Sequence, residues 1–592
     1  MKKALLLFVF LFLAAAVPVN AEDSSADPRD KAYWDIFALD HKDFKDQMTT
    51  LKFWRRMEKI YCGYYDEKNQ FTAPKEDLEK GYTVFMKSYS EDVYPNTLPS
   101  TSNLRKEVAL FGTPGEFEPS VICILPYEDL KQMSVSVTDL TGQGGTIYSK
   151  DIAIHHIKYE YGPIGIQWYV RGRYLVKGPA DGLAKVPRPF WLTVKIPENA
   201  VPGIYKGEIT VSAGKTPTKL PVTLEVFPFK FAEWGEHNVY WMWYYNGYPE
   251  NSILERDMAN LRAHGMNCFD SANPFNPKVV GGKVSIDFSL AERVIPLLKK
   301  HGFNSWMFDN KVQHEILVQV GGSAWSEKHK AALKDFSEQV AAKAKAEKWP
   351  KLIFTFDEPR EDEDASNIRG YIDMKNTFEI MNAAGLITNP SWSGWGGGKR
   401  KDDSSKIADY TELCGLPFYN TTHANFPPAQ KIIDKVNALK RPLLLYNCGA
   451  NRFAFGLLTW QNNALGNSQF WWGAAKYGNP TTEYAASACA VQSKDGIVDT
   501  TNWEQIREGV DDYRYIMTLE KAIADCPKPA SVEVAAAKAL LVSMKTFKVA
   551  SGKGTGLEAD FMAEAMKNFK GDKLDEYRYK MAKSIAAIQA IK

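Results

Sequence analysis

The sequence predicts a multidomain chain of α/β and β architecture, with an N-terminal antiparallel β-sandwich, a central (β/α)8 barrel of the TIM type, and C-terminal helices. Three observations predict it. The 592 residues are too many for one ordinary core and suggest about three or four domains. Short apolar strands separated by Pro and Gly turns come first, and strand-like and helix-like segments then alternate. A tail rich in Ala, Lys and Met follows.

The composition is that of a globular protein and excludes several classes. Hydrophobic residues make up 45% and charged residues 24%, which argues against a fibre or a mostly disordered chain. The formal net charge is +2 and no long run carries one sign, so we expect no nucleic-acid partner. The aromatic share of 13% suits a carbohydrate-binding groove as well as a large core.

The N-terminus has the pattern of a secretory signal peptide over residues 1–21. Two lysines follow Met1, an apolar stretch covers Ala4–Ala16, and Val19–Ala21 matches the small-residue pattern before a cleavage site. The stretch is short for a membrane-spanning helix, which needs about 20 residues. We therefore expect cleavage after Ala21, export to the periplasm or the medium, and no membrane span in the mature chain.

Changes in sequence character divide the mature chain into four predicted segments. A polar, helix-like extension covers 22–80. The β-sandwich covers 81–231, where strands such as Met133–Thr138 alternate apolar and polar residues. The barrel covers 236–515, and helices cover 516–592.

Eight strand candidates predict the barrel, because eight β/α repeats over roughly 250 residues are what this fold requires. Helical stretches separate most of them. Two of these stretches, Ile253–Gly265 and Leu290–Gly302, end in a glycine suited to a helix C-cap. The strand candidates are Asn238–Trp243, Asn267–Phe269, Asn304–Phe308, Lys351–Phe356, Leu386–Thr388, Tyr410–Cys414, Pro442–Tyr446 and Ser468–Trp472.

Cysteine and histidine patterns indicate neither a disulfide scaffold nor a metal site. The seven cysteines are scattered without a C-x-x-C pair, so we expect mostly buried thiols. No H-x-x-x-H or H-E-x-x-H motif occurs, and we expect no catalytic metal. The sequence also lacks a G-x-S-x-G elbow and glycine-rich nucleotide-binding motifs, so neither a serine hydrolase nor a nucleotide cofactor is expected.

Two adjacent carboxylates, Asp357 and Glu358, end the fourth strand candidate. Reactive groups of a (β/α)8 barrel lie at the C-terminal ends of its strands. Successive strand residues point to opposite faces, so both acids reach one pocket only if the chain turns, and Pro359 favours such a break. The alternative is a structural pair that caps the next helix or binds an arginine.

Adjacent carboxylates suit substrate-assisted hydrolysis of a 2-acetamido sugar. The two acids of a classical glycosidase flank the scissile bond, about 5 to 9 Å apart, and usually come from different strands. In the substrate-assisted route the acetamido oxygen attacks the anomeric carbon. Asp357 would orient the acetamido group, and Glu358 would protonate the leaving oxygen and then activate water.

Aromatic and amide residues near the ends of the later strands could line a sugar site. Trp offers a flat apolar face to a sugar ring, and Tyr and Asn offer hydrogen bonds to its hydroxyls and acetamido group. Some of these aromatic residues could equally belong to the core. The predicted substrate-binding residues are Trp392, Trp395, Tyr419, Asn420, Tyr446, Asn447 and Trp472.

Together these segments resemble glycoside hydrolase family 123, over residues 80 to 520. The most specific segment carries the pattern W-E-x-I-R-E-G-x-x-D-Y, and Asn502 departs from the family in standing where an arginine is expected. The resembling segments are Gly115–Pro119, Asp357–Pro359, Arg452–Trp460, Gly466–Gly473 and Asp495–Tyr513.

The resemblance implies a β-N-acetylgalactosaminidase that uses the substrate-assisted route. From the missing motifs we expect no cofactor, and the substrate would be a glycan or glycoconjugate. Asp357 would be the residue that orients the acetamido group, and Glu358 the acid/base. Two other hypotheses stay open. One is a non-catalytic glycan-binding protein that kept the barrel and its aromatic residues, and the other is a glycosidase for a different sugar.

Overall fold

The computed structural model describes residues 35, 39–40, 71–104, 107–164, 167–244, 247–309, 311–357, 370–392, 420–422, 427–470, 472–473, 488–493, 496–547 and 571–591. The predicted signal peptide and most of the predicted extension lie outside these ranges.

Residues 82–226 form two β-sheets, the N-terminal sheet pair, after the short helix α1 (Lys75–Lys80). The strands are β1 (Tyr82–Lys87), β2 (Val108–Gly112), β3 (Phe117–Pro126), β4 (Leu130–Val137), β5 (Leu140–Gly142), β6 (Gly145–Ile147), β7 (Ile152–Ile164), β8 (Gln167–Lys177), β9 (Ala180–Gly182), β10 (Arg188–Lys195), β11 (Gly203–Ser212) and β12 (Thr218–Val226). One sheet has the order β1-β3-β10-β7-β8. The other has the order β2-β12-β11-β4-β9, with β5 beside β11 and β6 beside β5.

The two sheets share one hydrophobic cluster. Along β12, Leu220, Val222 and Leu224 are buried and alternate with more exposed residues, which is the period-two pattern of a strand with one buried face. They pack in the same cluster as Ile124 and Leu192 of the other sheet. The core of the sheet pair therefore lies between the sheets.

Eight parallel strands follow in a single sheet, which we call the parallel sheet. They are β13 (Trp241–Met242), β14 (Cys268–Ser271), β17 (Ser305–Asp309), β18 (Lys351–Asp357), β19 (Ile387–Trp392), β20 (Asn420–Thr422), β21 (Leu443–Tyr446) and β22 (Asn467–Gln469), with the hairpin β15 (Asn276–Val280) and β16 (Lys283–Asp287) between β14 and β17. The strands lie in chain order from β14 to β22, and β13 pairs with β22. A parallel bridge from Trp243 to Asp270 also connects β13 with β14.

Seven of the eight strand candidates overlap these strands. The sixth, Tyr410–Cys414, lies outside the described residues, and β20 occupies the sixth place in the sheet.

Helices connect the parallel strands and follow them. The helices among the parallel strands are α2 (Asn251–Ala263), α3 (Ser289–Lys300), α4 (Val312–Val320), α5 (Glu327–Ala346), α6 (Tyr371–Ala383), α7 (Pro427–Ala438) and α8 (Thr459–Gln461), the last of which follows a π-helical turn at Ala454–Leu458. The hairpin of β23 (Ala490–Ser493) and β24 (Gly496–Asp499) comes next. The chain then continues with α9 (Thr501–Asp525), α10 (Val532–Thr546) and α11 (Gly571–Gln589). Gly265 and Gly302 have φ of +84° and +73°, which confirms the predicted helix ends.

Side chains of the parallel strands alternate between two clusters. Phe354 and Phe356 lie in the large cluster that includes the surrounding helices. Ile353 lies instead in a small inner cluster with five residues from four other segments of the sheet. That cluster consists of Val239, Trp241, Cys268, Met307, Ile353 and Leu444. The alternation defines an inner row of positions along each strand.

The structure confirms the mixed β and α/β architecture with helices after the parallel strands. In the part of the chain that it describes, no helix has the length and apolar character needed to cross a bilayer. The described cysteines are buried and form no disulfide with one another; they are Cys123, Cys268, Cys448, Cys489 and Cys526.

Candidate functional site

The C-terminal end of β18 places Asp357 beside a buried polar pair. Position 357 ends β18, two residues after Thr355. In the register, Thr355 is opposite Asn389 and Asp357 is opposite Ser391. The Asn389 amide donates a hydrogen bond to Thr355 Oγ1 at 3.3 Å, and both side chains are buried. A polar layer therefore lies one rung below Asp357.

Two more carboxylates lie on β17 and β14, one level with this layer and the other one rung below it. Asp270 follows Cys268 in the inner row of β14 and is 3% exposed. Asp309 follows Met307 in β17, is opposite Thr355, and forms an ion pair with Lys311 at 2.9 Å. Polar groups thus occupy the C-terminal ends of four adjacent strands.

Aromatic side chains form another part of the same edge. Trp243 follows β13, and its ring centroid lies 6.4 Å from that of Phe470, which follows β22. Both are half-buried, as is Tyr446 at the end of β21. Trp243 and Phe470 pack with Tyr174 and partly buried Val176 of β8. The N-terminal sheet pair therefore supports this aromatic wall.

Sequence reasoning missed Trp243 and Phe470 as site residues. Trp243 lies two residues after Trp241, whose side chain is in the inner cluster. Strand alternation alone could have placed Trp243 in the inner row. Its contact with β8 could not be read from spacing, because about 70 residues separate them in the chain.

The structure covers the predicted substrate-binding residues unevenly. Trp392 is the last residue of β19 and so belongs to the C-terminal edge by its backbone. Asn420 was predicted to follow the sixth strand, but it begins β20, and the residue that ends this strand is Thr422. Three further predicted residues lie outside the described ranges: Glu358, Trp395 and Tyr419.

Asn447 lies at the edge but holds two strands together. Its φ is +51°, a left-handed conformation that asparagine tolerates better than most residues. Its Oδ1 accepts hydrogen bonds from the backbone N–H of Phe470 at 2.7 Å and from Gln469 Nε2 at 3.1 Å. Asn447 therefore positions the aromatic wall next to Tyr446.

Trp472 is a packing residue, which corrects its prediction as a substrate contact. Its side chain is 1% exposed. The indole N–H donates to Asn260 Oδ1 at 3.0 Å, and the ring stacks on Tyr244 with centroids 5.5 Å apart. No face of the ring is open to a sugar.

The most specific sequence motif lies in a buried ionic network. Arg452 binds Asp512 through two hydrogen bonds of 2.6 and 2.9 Å. Arg578 of α11 donates to Asp512 at 2.6 Å and to Glu508 at 2.7 Å. In the Gly115–Pro119 run, Glu118 and Glu116 lie 3.5 and 3.7 Å from Arg578. The network joins the N-terminal sheet pair, the parallel sheet and the C-terminal helices.

Asn502 belongs to this connection between the sheets as well. Its Oδ1 accepts a hydrogen bond from Arg171 of β8 at 3.2 Å, and its Nδ2 donates to the Ala450 carbonyl at 2.9 Å. An arginine at position 502 would meet Arg171. The neutral Asn502, which accepts from Arg171, therefore suits this position better than the arginine that the family pattern predicts.

Burial raises the pKa values of some glutamates in the network, and neighbouring cations lower the pKa of another. Burial raises the pKa of Glu116 to about 8. Burial and the neighbouring Glu116 raise the pKa of Glu118 well above its usual range. Burial alone would raise the pKa of Glu504, but Arg507 and His264 lower it to about 2.

We expect the free energy of unfolding to fall as pH rises from about 5 to about 8. In this window folded Glu116 keeps a proton that an ordinary glutamate, with a pKa of 4.5, has lost. Glu116→Gln mimics the protonated form and can still accept from the Thr113 N–H and the Tyr515 hydroxyl. The variant should reduce the change in the free energy of unfolding across this window by an amount on the order of a few kcal/mol. Urea unfolding from pH 5 to pH 9 measures this, with exposed Glu198→Gln as control. Parallel pH profiles for all three proteins would contradict the expectation.

One group among the described residues has the composition of a metal site: His264, Asp499 and Glu504. Its atoms already bind within the protein. His264 Nε2 lies 3.2 Å from Glu504 Oε1, and Asn260 Nδ2 donates to Asp499 at 2.8 Å. Arg507 donates to Glu504 at 2.5 Å. The three residues therefore belong to the buried ionic network.

Comparison with known proteins agrees with the fold. No family model and no curated protein sequence matches this chain. Among solved structures, it is similar to a family 123 glycoside hydrolase from Clostridium perfringens, whose glycolipid glycan hydrolysis has been analysed structurally. The TM-score is 0.61 at 13% identity, over 84% of this chain and 98% of that one.

Two further solved structures are less similar. A family 39 glycoside hydrolase from Bacteroides cellulosilyticus WH2 has a TM-score of 0.34 at 10% identity, over 69% of this chain and 82% of that one. The catalytic domain of a β-amylase from Paenibacillus polymyxa has a TM-score of 0.29 at 10% identity, over 43% and 97%. These two scores are too low to carry an argument.

The chain therefore has the fold of a glycoside hydrolase. The particular resemblance to family 123 that its motifs predict is confirmed at the level of the fold.

Proposed function

We propose that this protein is an exported glycoside hydrolase that cleaves a β-linked 2-acetamido sugar, namely an N-acetylgalactosaminide. One observation carries the proposal. Asp357 ends the fourth parallel strand, two residues beyond a buried polar layer, in a chain with the fold of a family 123 enzyme. The parallel sheet would be a (β/α)8 barrel with its active site at the C-terminal ends of the strands, and the N-terminal sheet pair a β-sandwich.

The proposed reaction is substrate-assisted and retains the anomeric configuration. The acetamido oxygen attacks the anomeric carbon while Glu358 protonates the leaving oxygen. The bond from the anomeric carbon to the leaving oxygen breaks, and an oxazolinium-type intermediate forms. Asp357 orients the acetamido group and stabilises the positive charge that develops on its nitrogen. Glu358 then takes a proton from the water that opens the intermediate.

The edge offers two kinds of group to such a substrate. Trp243, Phe470 and Tyr446 would present ring faces or edges to the sugar. Half-buried Asp309 would accept hydrogen bonds from its hydroxyls. Trp392, Trp395 and Tyr419 remain predicted substrate contacts.

We expect Trp243→Ala to raise KM about tenfold with a smaller change in kcat, because a stacking contact that acts equally in ground and transition states changes mainly KM. The conservative Trp243→Phe should restore most of the affinity. Steady-state kinetics on a nitrophenyl glycoside measures both constants. A fall in kcat at unchanged KM would show that Trp243 does not bind the sugar through a stacking contact.

Export is proposed from the Lys-Lys pair, the apolar stretch and the Val-Asn-Ala site at the N-terminus. Mass spectrometry of the protein from its native host should find Glu22 as the first residue. Intact Met1 in the membrane fraction would refute export by cleavage.

The proposed activity is tested with a panel of nitrophenyl β-glycosides. The N-acetylgalactosaminide should be cleaved, and the matched galactoside, which lacks only the acetamido group, should not. Binding of both without cleavage would favour a glycan-binding protein. Cleavage of the galactoside alone would favour a glycosidase with a classical acid pair.

A further inference from the structure

A cavity of about 680 Å³ lies on the N-terminal sheet pair. Its walls come from Met86–Tyr89 at the end of β1 and from Val108–Phe111 of β2, and α11 contributes Asp575 and Arg578. None of the residues that line it belongs to the candidate site. Its volume falls in the range of about 300 to 1,000 Å³ that is usual for small-molecule sites.

The floor of this cavity is fixed by the ionic network. Arg578 is 1% exposed and is held by Asp512 and Glu508 at 2.6 and 2.7 Å. The hydroxyl of buried Tyr89 donates to Asp575 Oδ1 at 2.9 Å. These charges are paired with one another, so the floor offers no uncompensated charge to a ligand.

The walls are mainly neutral and rich in hydrogen-bonding groups. Ser100 and Ser102 hydroxyls lie 2.9 Å apart, and Lys87 is paired with Glu91 at 2.8 Å. The neutral polar residues that line the cavity are Ser88, Ser100, Ser102, Asn103 and Ser120. Hydroxyl and amide groups both donate and accept, which matches the hydroxyls of a sugar.

One aromatic face accompanies these polar groups. Phe111 lines the cavity and is half-buried. Its ring is held edge-on by Tyr579 of α11 and by Phe227, with centroids 5.1 and 6.2 Å away. A fixed ring beside hydroxyl groups suits the apolar face of a pyranose.

The charge around the cavity disfavours an anion. Exposed Glu107 lines it. A carboxylate repels a ligand that carries the same sign of charge. An anionic ligand would therefore be repelled by Glu107, while a neutral ligand would not.

We propose that this cavity is an accessory binding site for a neutral mono- or disaccharide, separate from the proposed catalytic site. The proposal needs no hydrolytic activity. It rests on the cavity's size, its paired floor, its neutral hydrogen-bonding walls and its one aromatic face.

Cavity-filling variants test it. Ala109 is exposed on β2 and lines the cavity, so Ala109→Trp should fill it. Ser102→Trp at the exposed rim is a second blocking variant. Lys206→Trp adds the same ring at an exposed site on the same sheet, outside the cavity, and is the matched control.

Binding of N-acetylgalactosamine, galactose and lactose is measured by calorimetry and saturation-transfer NMR, in an Asp357→Asn/Glu358→Gln background. At least one sugar should bind, and both blocking variants should weaken that binding tenfold or more while Lys206→Trp leaves it unchanged. Absence of binding by all three sugars, or binding that both blocking variants leave intact, would overturn the proposal. Tighter binding of galacturonate than of galactose would overturn its neutral character.

Discussion

Asp357→Asn should lower kcat by about 10²- to 10³-fold on every 2-acetamido substrate, whatever its leaving group. The variant keeps the size of the side chain but loses the negative charge that stabilises the oxazolinium-type intermediate. Loss of one preorganised electrostatic partner typically costs about 3 to 4 kcal/mol in the transition state. Kinetics on nitrophenyl and unactivated glycosides would measure the effect.

Two comparisons control this result. Exposed Glu338→Gln on α5 should leave kcat unchanged. A galacto-configured thiazoline, which mimics the cyclic intermediate, should inhibit the parent protein and bind the Asp357→Asn variant much more weakly. Equal inhibition of both would show that Asp357 does not contact the acetamido group.

Glu358→Gln should lower kcat by about 10²- to 10⁴-fold on substrates with poor leaving groups, since it can no longer donate a proton. On nitrophenyl substrates the leaving group needs little protonation, so the loss at the first step should be much smaller. The ratio of the two effects is the diagnostic quantity. Near-full activity of this variant on both classes would place the acid elsewhere.

The β18 strand shows what the sequence could predict. Lys351–Phe356 is a short apolar run that Asp-Glu-Pro ends, and the structure has a strand at Lys351–Asp357. A strand of a parallel sheet is covered by helices and buried on both faces, so a short apolar run is enough to predict it. The position of Asp357 at a strand end follows from the same pattern.

The sixth strand shows where local pattern failed. β20 has only three residues, Asn420–Thr422, and pairs with Ser391–Trp392 of β19 and Leu443–Leu445 of β21. A strand so short has no measurable periodicity. Tyr410–Cys414 has the more strand-like composition, and the sequence therefore favoured it.

Trp472 and the ionic network depend on partners that are distant in the chain. Trp472 ends a strand candidate as a ligand-stacking residue would, but Asn260, 212 positions away, satisfies its indole N–H. Glu116 and Tyr515 meet across 399 positions. Spacing within one motif carries no information about such contacts, so the role of the motif as a connector appears only in the fold.

The central claim is that the substrate's own acetamido oxygen is the nucleophile. It is tested most directly by measuring kcat/KM for a series of aryl β-N-acylgalactosaminides whose acyl methyl carries zero, one, two or three fluorines. Each fluorine withdraws electrons from the carbonyl oxygen, so the account predicts a stepwise fall in kcat/KM of about tenfold or more across the series, equal to about 1.4 kcal/mol or more in the barrier. Rates that do not change with fluorination, together with a covalent glycosyl-enzyme trapped by a 2-fluoro sugar, would show that a protein carboxylate is the nucleophile and would contradict it.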